Sequence, residues 1–149
     1  MQLTSTAFTS GSTIPAEYTC DGAGRSPPLA WSGAPANAKS FALIAEDPDA
    51  PNDTFRHWGA YDISADTHEL AADASRNAGF RQTSNDFGKP GYGAACPPKG
   101  DAPHHYHFRV LALDVAQLSG SPANVKDLLD ATDGHVVGNG DLIALYGRK

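Results

Sequence analysis

Five polar residues fall where predicted strands meet loops that contain proline or glycine. Asp47 and Asp49 follow one strand, His57 opens another, and His104 and Tyr106 open a third. A histidine beside a carboxylate gains stabilisation of its charged form, so its pKa should rise. Cationic histidines and a tyrosine hydroxyl are donors for phosphate or carboxylate oxygens. Because strand ends beside loops are where binding sites are assembled, the five residues predict a small anion pocket.

The predicted wall of this pocket is the segment Ala94-Ala95-Cys96-Pro97-Pro98. Backbone amides around Ala95 could form a concave nest for an anion. The two adjacent prolines should stiffen the loop and lower the entropy lost on binding.

Non-functional interpretations of the same residues exist. Asp47-Pro48-Asp49 is also a standard strand-ending turn. His57, beside Trp58, could be a buried histidine with satisfied hydrogen bonds. His105 and His107 alternate away from the apolar set of their strand, so we expect both on a solvated face.

Two catalytic alternatives use the same side chains. His57, His104, His107 and Asp47 are ligand types for zinc or iron, but no motif sets their geometry, and strand alternation points His104 and His107 to opposite faces. Cys96 is the best nucleophile candidate, with His57 or His104 as base. We expect neither a metal nor another cofactor.

Four strands would position these residues. Ser40–Glu46 is apolar on both alternating sets and should be buried on both faces. His57–Ile63 and His105–Val115 are the next two, and Asp141–Tyr146 is the last. Most of 64–95 is interpreted as a long loop region.

One helix is predicted, with Ser121 as N-cap, Pro122 at the first position and Gly134 at its end. One helix among at least four strands indicates a single, mainly β domain over 1–149, built as a sandwich.

Composition narrows the possible partners and compartment. The formal net charge is −6 and the basic residues are scattered, which argues against nucleic acid and against stable association with anionic membranes. The polar residues after Met1 do not form a signal peptide, so we expect a cytoplasmic protein. Cys20 and Cys96 are therefore expected to be reduced thiols.

The motifs together resemble the phosphatidylethanolamine-binding protein family, in its bacterial and archaeal Raf-kinase-inhibitor-like branch. The resemblance covers nearly the whole chain. It is carried by Tyr18-Thr19-Cys20-Asp21-Gly22, Asp47-Pro48-Asp49-Ala50-Pro51, His57-Trp58, Asn85-Asp86-Phe87-Gly88, Cys96-Pro97-Pro98-Lys99-Gly100 and His104-His105-Tyr106.

The resemblance implies a two-sheet antiparallel Greek-key β-sandwich with a few short helices, and a pocket for phosphate-like, acetate-like or phospholipid-headgroup anions. Residue by residue, the implied pocket consists of Asp47, His57, His104 and Tyr106, with Ala95, Cys96, Pro97 and Pro98 as one wall.

Two positions depart from the family pattern. The family's Gly-Pro before Cys-Pro-Pro is here Ala94-Ala95, and its His-Arg-Tyr is His104-His105-Tyr106. His105 thus replaces a permanent cation with a group that titrates near neutrality.

The function that the resemblance implies is ligand binding without catalysis, coupled to regulation of a partner protein. Relatives act on kinases, proteases or transcription-associated factors, and often form dimers. The rivals are a hydrolase with a His/Asp metal site or a Cys96 nucleophile, and a purely structural role. If His57 or His104 supplies charge to the anion, affinity should weaken as pH rises through its pKa.

Overall fold

The computed structural model describes residues 1–149 and is mainly β. Its nine strands and single α-helix are β1 (Gln2–Thr4), β2 (Ser12–Thr13), β3 (Leu29–Ser32), β4 (Ser40–Asp47), β5 (Phe55–Ser64), β6 (Glu69–Leu70), β7 (Arg81–Gln82), β8 (His104–Leu113), α1 (Val125–Thr132) and β9 (Val136–Tyr146). Short 3₁₀ helices cover Ala16–Tyr18 and Ala74–Asn77.

The strands form two sheets, as predicted. The larger has the order β2-β9-β8-β4-β5-β7, and the smaller has the order β1-β3-β6. Neighbours are antiparallel except for β2 beside β9. Strand β4 therefore lies between β5 and β8, two long strands that run opposite to it. The Greek-key connectivity stays a prediction.

Both faces of β4 are buried, which confirms the prediction from its apolar sequence. Phe41 and Leu43 pack in a cluster that also holds Trp31 of the small sheet. Ile44 points the other way, into a second cluster with Leu128 of α1. The continuous apolar run exists because one strand supplies two cores.

The predicted start of the helix was wrong. Asn124, not Ser121, is the N-cap, and its side-chain oxygen accepts a hydrogen bond from the Asp127 amide at 2.8 Å. Gly134 adopts φ +82° just after the C-cap Asp133, so the predicted end is confirmed. No helix in the structure is long and apolar enough to cross a membrane.

Strand boundaries also differ from prediction: β5 covers Phe55–Ser64 instead of His57–Ile63, and β8 covers His104–Leu113 instead of His105–Val115. The last strand begins at Val136 rather than Asp141, and its glycines face the N-terminal strand: a Cβ on Gly140 would lie 3.1 Å from the Met1 carbonyl oxygen. Glycine weakened the sequence signal at the place where another backbone approaches closely. Within 64–95, β6, β7 and a 3₁₀ turn interrupt the expected loop.

The two cysteines form a disulfide, which corrects the prediction of free thiols. A parallel bridge between Thr19 and Ala95, with the Cys20 amide donating to the Ala95 carbonyl at 3.0 Å, brings the two loops together. The Cα atoms of Cys20 and Cys96 are then 5.3 Å apart, within the range that a disulfide spans. The two cysteines are 76 positions apart in the sequence, and nothing in the residues between them predicts this contact.

Candidate functional site

The sheet itself gathers the predicted polar residues. Asp47 is the last residue of β4, whereas His57 and His104 lie near the starts of β5 and β8. Since both neighbours run antiparallel to β4, their first residues lie beside its last one. Tyr106 follows His104 by two positions and shares its face.

A β-bulge places His57. Ala45 pairs with Trp58 and Glu46 with Arg56, so His57 has no partner on β4. Bulges re-aim a side chain locally and are frequent next to functional sites. The carbonyl of His57 instead accepts the Gly93 amide at 2.7 Å, which ties β5 to the loop after β7.

The residues line a half-open cavity of about 190 Å³. Its polar lining consists of Asp47, His57, His104 and Tyr106. The remaining lining is apolar or sulfur-bearing and consists of Ala50, Pro51, Phe55, Phe87, Cys96, Pro97 and Pro98. The cavity thus joins a polar floor to an apolar rim, the usual arrangement of a small-ligand site.

His104 is held between two carboxylates. Its Nδ1 lies 2.7 Å from Asp47 Oδ2 and its Nε2 lies 3.1 Å from Asp101 Oδ2. Burial alone would favour the neutral ring, but the hydrogen bonds to Asp47 and Asp101 outweigh it and raise the pKa of His104. Ionised carboxylates only accept, so both hydrogen bonds form together when both ring nitrogens carry hydrogen, and the raised pKa of His104 favours this cation.

His57 has the opposite environment. Its ring packs against Phe55, Phe87 and Tyr106, with centroid distances from 4.7 to 5.7 Å. Burial lowers the pKa of His57, although a hydrogen bond to the Gly93 carbonyl and the nearby Asp47 oppose that shift. The lowered pKa favours the uncharged ring at neutral pH.

Tyr106 presents a free hydroxyl to the cavity. Unlike the hydroxyls of Tyr92 and Tyr146, which donate to Tyr18 and Asp21, it donates to no group of the protein. Burial, followed by the charge of Asp47, raises the pKa of Tyr106 far above its ordinary value. The hydroxyl therefore stays protonated and can donate to a ligand.

The predicted wall is only partly in place. Cys96, Pro97 and Pro98 line the cavity, but Ala95 does not. Ala95 is 2% exposed and packs in the main core, and its carbonyl holds the Cys20 amide. Ala95 therefore anchors the wall segment to the core through its backbone and does not contact the cavity.

The outer face of β8 has its own contacts. His105 lies on the exposed face and donates through Nδ1 and its backbone amide to Asp49 Oδ2, at 2.7 and 2.8 Å. Those hydrogen bonds lower the pKa of Asp49. His107 also lies outside, opposite His104, as alternation predicted. Asp49 therefore belongs to a surface pair and not to the cavity.

Two observations concern the residues of the catalytic alternatives. Cys96 is bonded to Cys20, so its sulfur is no free thiolate in this state. No group of three or more histidine, cysteine or acidic side chains is arranged to hold a metal ion.

Sequence reasoning missed the aromatic rim and Asp101. Phe87 directly precedes Gly88 in a loop and is 48% exposed, yet it packs against Phe55 at the mouth of the cavity. Asp101 precedes His104 by three residues, and this short spacing was the available signal for their contact.

Comparison with known proteins agrees with this architecture. The sequence model of the family described as phosphatidylethanolamine-binding protein matches residues 4–147. A UPF0098 protein of Aquifex aeolicus is 43% identical, over 99% of this chain and 89% of the relative. One of Methanothermobacter thermautotrophicus is 45% identical, over 99% of both chains.

Solved structures show the same fold. The crystal structure of Escherichia coli YbcL, described as a member of the mammalian PEBP family, superimposes with a TM-score of 0.93 at 35% identity, covering 99% of this chain and 98% of YbcL. A PEBP homologue of Chlamydia trachomatis gives a TM-score of 0.89 at 40% identity, covering 99% of this chain and 97% of the homologue. This chain belongs to the phosphatidylethanolamine-binding protein family.

Proposed function

We propose that this protein binds a small oxyanion, such as phosphate or the phosphate of a headgroup, in the cavity at the ends of β4, β5 and β8. The observation that carries the proposal is the pair of His104 and Tyr106 on one strand face. His104 supplies a positive charge that its carboxylate partners preserve, and Tyr106 supplies a hydroxyl donor with no partner in the protein.

The dimensions of the cavity support a small ligand. A volume of about 190 Å³ accepts a phosphate group with a short substituent, while a whole lipid exceeds it. The apolar rim at Phe55, Phe87 and Pro98 would cover such a substituent. We propose binding rather than catalysis as the role.

We further propose that a partner protein reads the occupied cavity. Phe87 is half exposed at the rim and packs on Phe55 and His57, so a ligand that displaces or fixes Phe87 changes the surface around it. Hydrogen exchange of residues 85–93 with and without phosphate measures this change. Equal protection in both states would contradict the proposal. A homodimer also stays a prediction.

The compartment is a separate matter. We keep the cytoplasm as the predicted location, but the exposed Cys20–Cys96 disulfide is typical of oxidising compartments. Thiol labelling of the protein in fractionated cells distinguishes a reducing from an oxidising compartment. Cysteines that react with the label support the cytoplasm, and cysteines that do not react contradict it.

Calorimetric titration with phosphate tests the binding proposal. Replacing Tyr106 by phenylalanine (Tyr106→Phe) removes one donor and keeps the ring, so we expect affinity to fall about tenfold. Tyr61→Phe is the matched control, since it removes the same atom on the other side of the sheet, in the second core. Phosphate binding that survives Tyr106→Phe unchanged, or no binding by the unaltered protein, would contradict the proposal.

A further inference from the structure

The Cys20–Cys96 disulfide is accessible from solvent. Both cysteines are exposed, and both line a groove of about 490 Å³. This groove adjoins the cavity, since Phe87 and Cys96 line both. A groove of this size admits a small organic molecule. Because the rate of thiol–disulfide exchange depends on access to the sulfur atoms, a small thiol compound can react with this bond.

The two sulfur atoms lie in different charge environments. The guanidinium of Arg148 donates through Nη1 to Cys96 Sγ at 3.5 Å. Asp21 directly follows Cys20, and its carboxylate lies 3.4 Å from Arg148 Nε. The Tyr146 hydroxyl donates to the same carboxylate and helps to fix it. A neighbouring cation stabilises a thiolate and a neighbouring carboxylate opposes one, so a negative charge is better placed on Cys96 than on Cys20.

Contacts other than the disulfide also hold the two cysteine loops together. Thr19 and Ala95 are buried and form a parallel bridge, and the Cys20 amide donates to the Ala95 carbonyl at 3.0 Å. The Tyr92 hydroxyl donates to the Tyr18 carbonyl at 2.7 Å and joins the same two loops. None of these contacts uses a sulfur atom, so opening the disulfide does not remove them. The two thiols then remain neighbours, which favours closure of the bond within one molecule.

From these observations we infer that the Cys20–Cys96 disulfide is a site of reversible exchange with low-molecular-weight thiols. The thiolate of such a compound attacks Cys20 Sγ and forms a mixed disulfide there. The bond between the two protein sulfurs breaks, and its electron pair leaves on Cys96 as a thiolate that Arg148 stabilises. Attack of the Cys96 thiolate on Cys20 Sγ reverses the step and releases the small thiol.

A second molecule of the thiol completes the reduction. Its thiolate attacks the sulfur that the first molecule contributed to the mixed disulfide, and Cys20 leaves as a thiolate. The two small thiols are then joined as a free disulfide and have lost two electrons. The protein has gained those electrons, and Cys20 and Cys96 take up the two protons that the small thiols released.

Mass spectrometry of the folded, oxidised protein after incubation with glutathione tests the inference. Samples are quenched with an alkylating reagent, which caps each free thiol. We expect glutathione on Cys20 and the cap on Cys96, and removal of glutathione before the quench should restore the disulfide. Circular dichroism should show the folded protein throughout. Adducts mainly on Cys96, or a disulfide that opens only in denaturant, would overturn the inference.

Replacing Arg148 by glutamine (Arg148→Gln) tests the role of the cation. The variant removes the charge beside Cys96, so the thiolate leaves less readily and the initial rate of opening by glutathione should fall about threefold. Lys149→Gln is the matched control, since it removes the next cation along the chain, which is exposed, and should leave the rate unchanged. Equal rates in Arg148→Gln and the unaltered protein would contradict stabilisation of the Cys96 thiolate by Arg148.

Single-cysteine variants compare the two sulfurs directly. Cys20→Ser leaves Cys96 beside Arg148, and Cys96→Ser leaves Cys20 beside Asp21. At pH 7 we expect Cys96 to be alkylated about threefold faster than Cys20, because a larger thiolate fraction outweighs its lower nucleophilicity. Equal rates would contradict the difference between the sulfurs. These measurements contain no phosphate, so their failure leaves the proposed anion site unaffected.

Discussion

The two walls of the cavity carry the same residue type in opposite surroundings. On the β8 wall, His104 lies between Asp47 and Asp101, and its hydrogen bonds to them raise its pKa and favour the cation. On the β5 wall, His57 lies among aromatic rings with one carbonyl partner and is held neutral. The contrast teaches that histidine at a strand end indicates a site, while its partners decide whether it supplies charge or accepts a hydrogen.

The largest effect is expected from removing the carboxylate of the charged wall. Asp47→Ala leaves His104 buried without its shorter hydrogen bond, and we expect the free energy of unfolding to fall by about 3 kcal/mol, since breaking a buried pair strands a charge. Denaturant unfolding measures this loss. Asp49→Ala, which removes the exposed partner of His105, is the control and should cost less than about 1 kcal/mol. Equal losses would mean that burial does not separate the two pairs.

The next effect is expected from breaking the disulfide that holds Cys96 in the cavity lining. Reducing the Cys20–Cys96 disulfide should lower the free energy of unfolding by about 2–4 kcal/mol, because the reduced chain has more freedom when unfolded. Thermal or denaturant unfolding with and without a thiol reductant measures the change, and the double variant Cys20→Ser/Cys96→Ser should be insensitive to the reductant. An unaltered protein with the same stability in both conditions would contradict a bond that constrains the fold.

A smaller effect is expected in the pH dependence of stability, to which His104 and His57 contribute with opposite signs. The raised pKa of His104 gives stability that is fully present below about pH 6.5 and is lost as pH rises through the folded-state pKa. The lowered pKa of His57 has the opposite effect. As pH falls below about 6.5, His57 takes up a proton in the unfolded chain before it does so in the folded protein, so the free energy of unfolding decreases. In unfolding experiments, His104→Asn should weaken the alkaline decline and His57→Phe the acid decline. Variants that alter the same limb would contradict opposite roles.

Much of the site could be predicted because it rests on local signals. The apolar run before Asp47 predicted a strand that is buried on both faces. Strand alternation predicted that His104 and Tyr106 point inward and that His105 and His107 point outward. Those signals reach two to eight residues along the chain, the distance over which strand periodicity acts.

The remainder depends on contacts between distant segments. The disulfide depends on the bridge between Thr19 and Ala95. The packing of His57 among aromatic rings depends on a β-bulge at His57, which residue spacing does not predict. The same bulge, through Gly93, fixes the hydrogen on His57. Residue types could therefore indicate the candidate site, but the difference between its two histidines required the fold.

The most direct test is a nitrogen-15 NMR spectrum of the histidine rings at neutral pH, without and with phosphate. The account predicts that His104 is protonated on both nitrogens and His57 on Nδ1 alone, and that phosphate shifts the ring signals of both histidines, which line the cavity. A His57 ring protonated on Nε2, or histidine signals that do not change with phosphate at concentrations where calorimetry detects binding, would contradict the account of the two histidines.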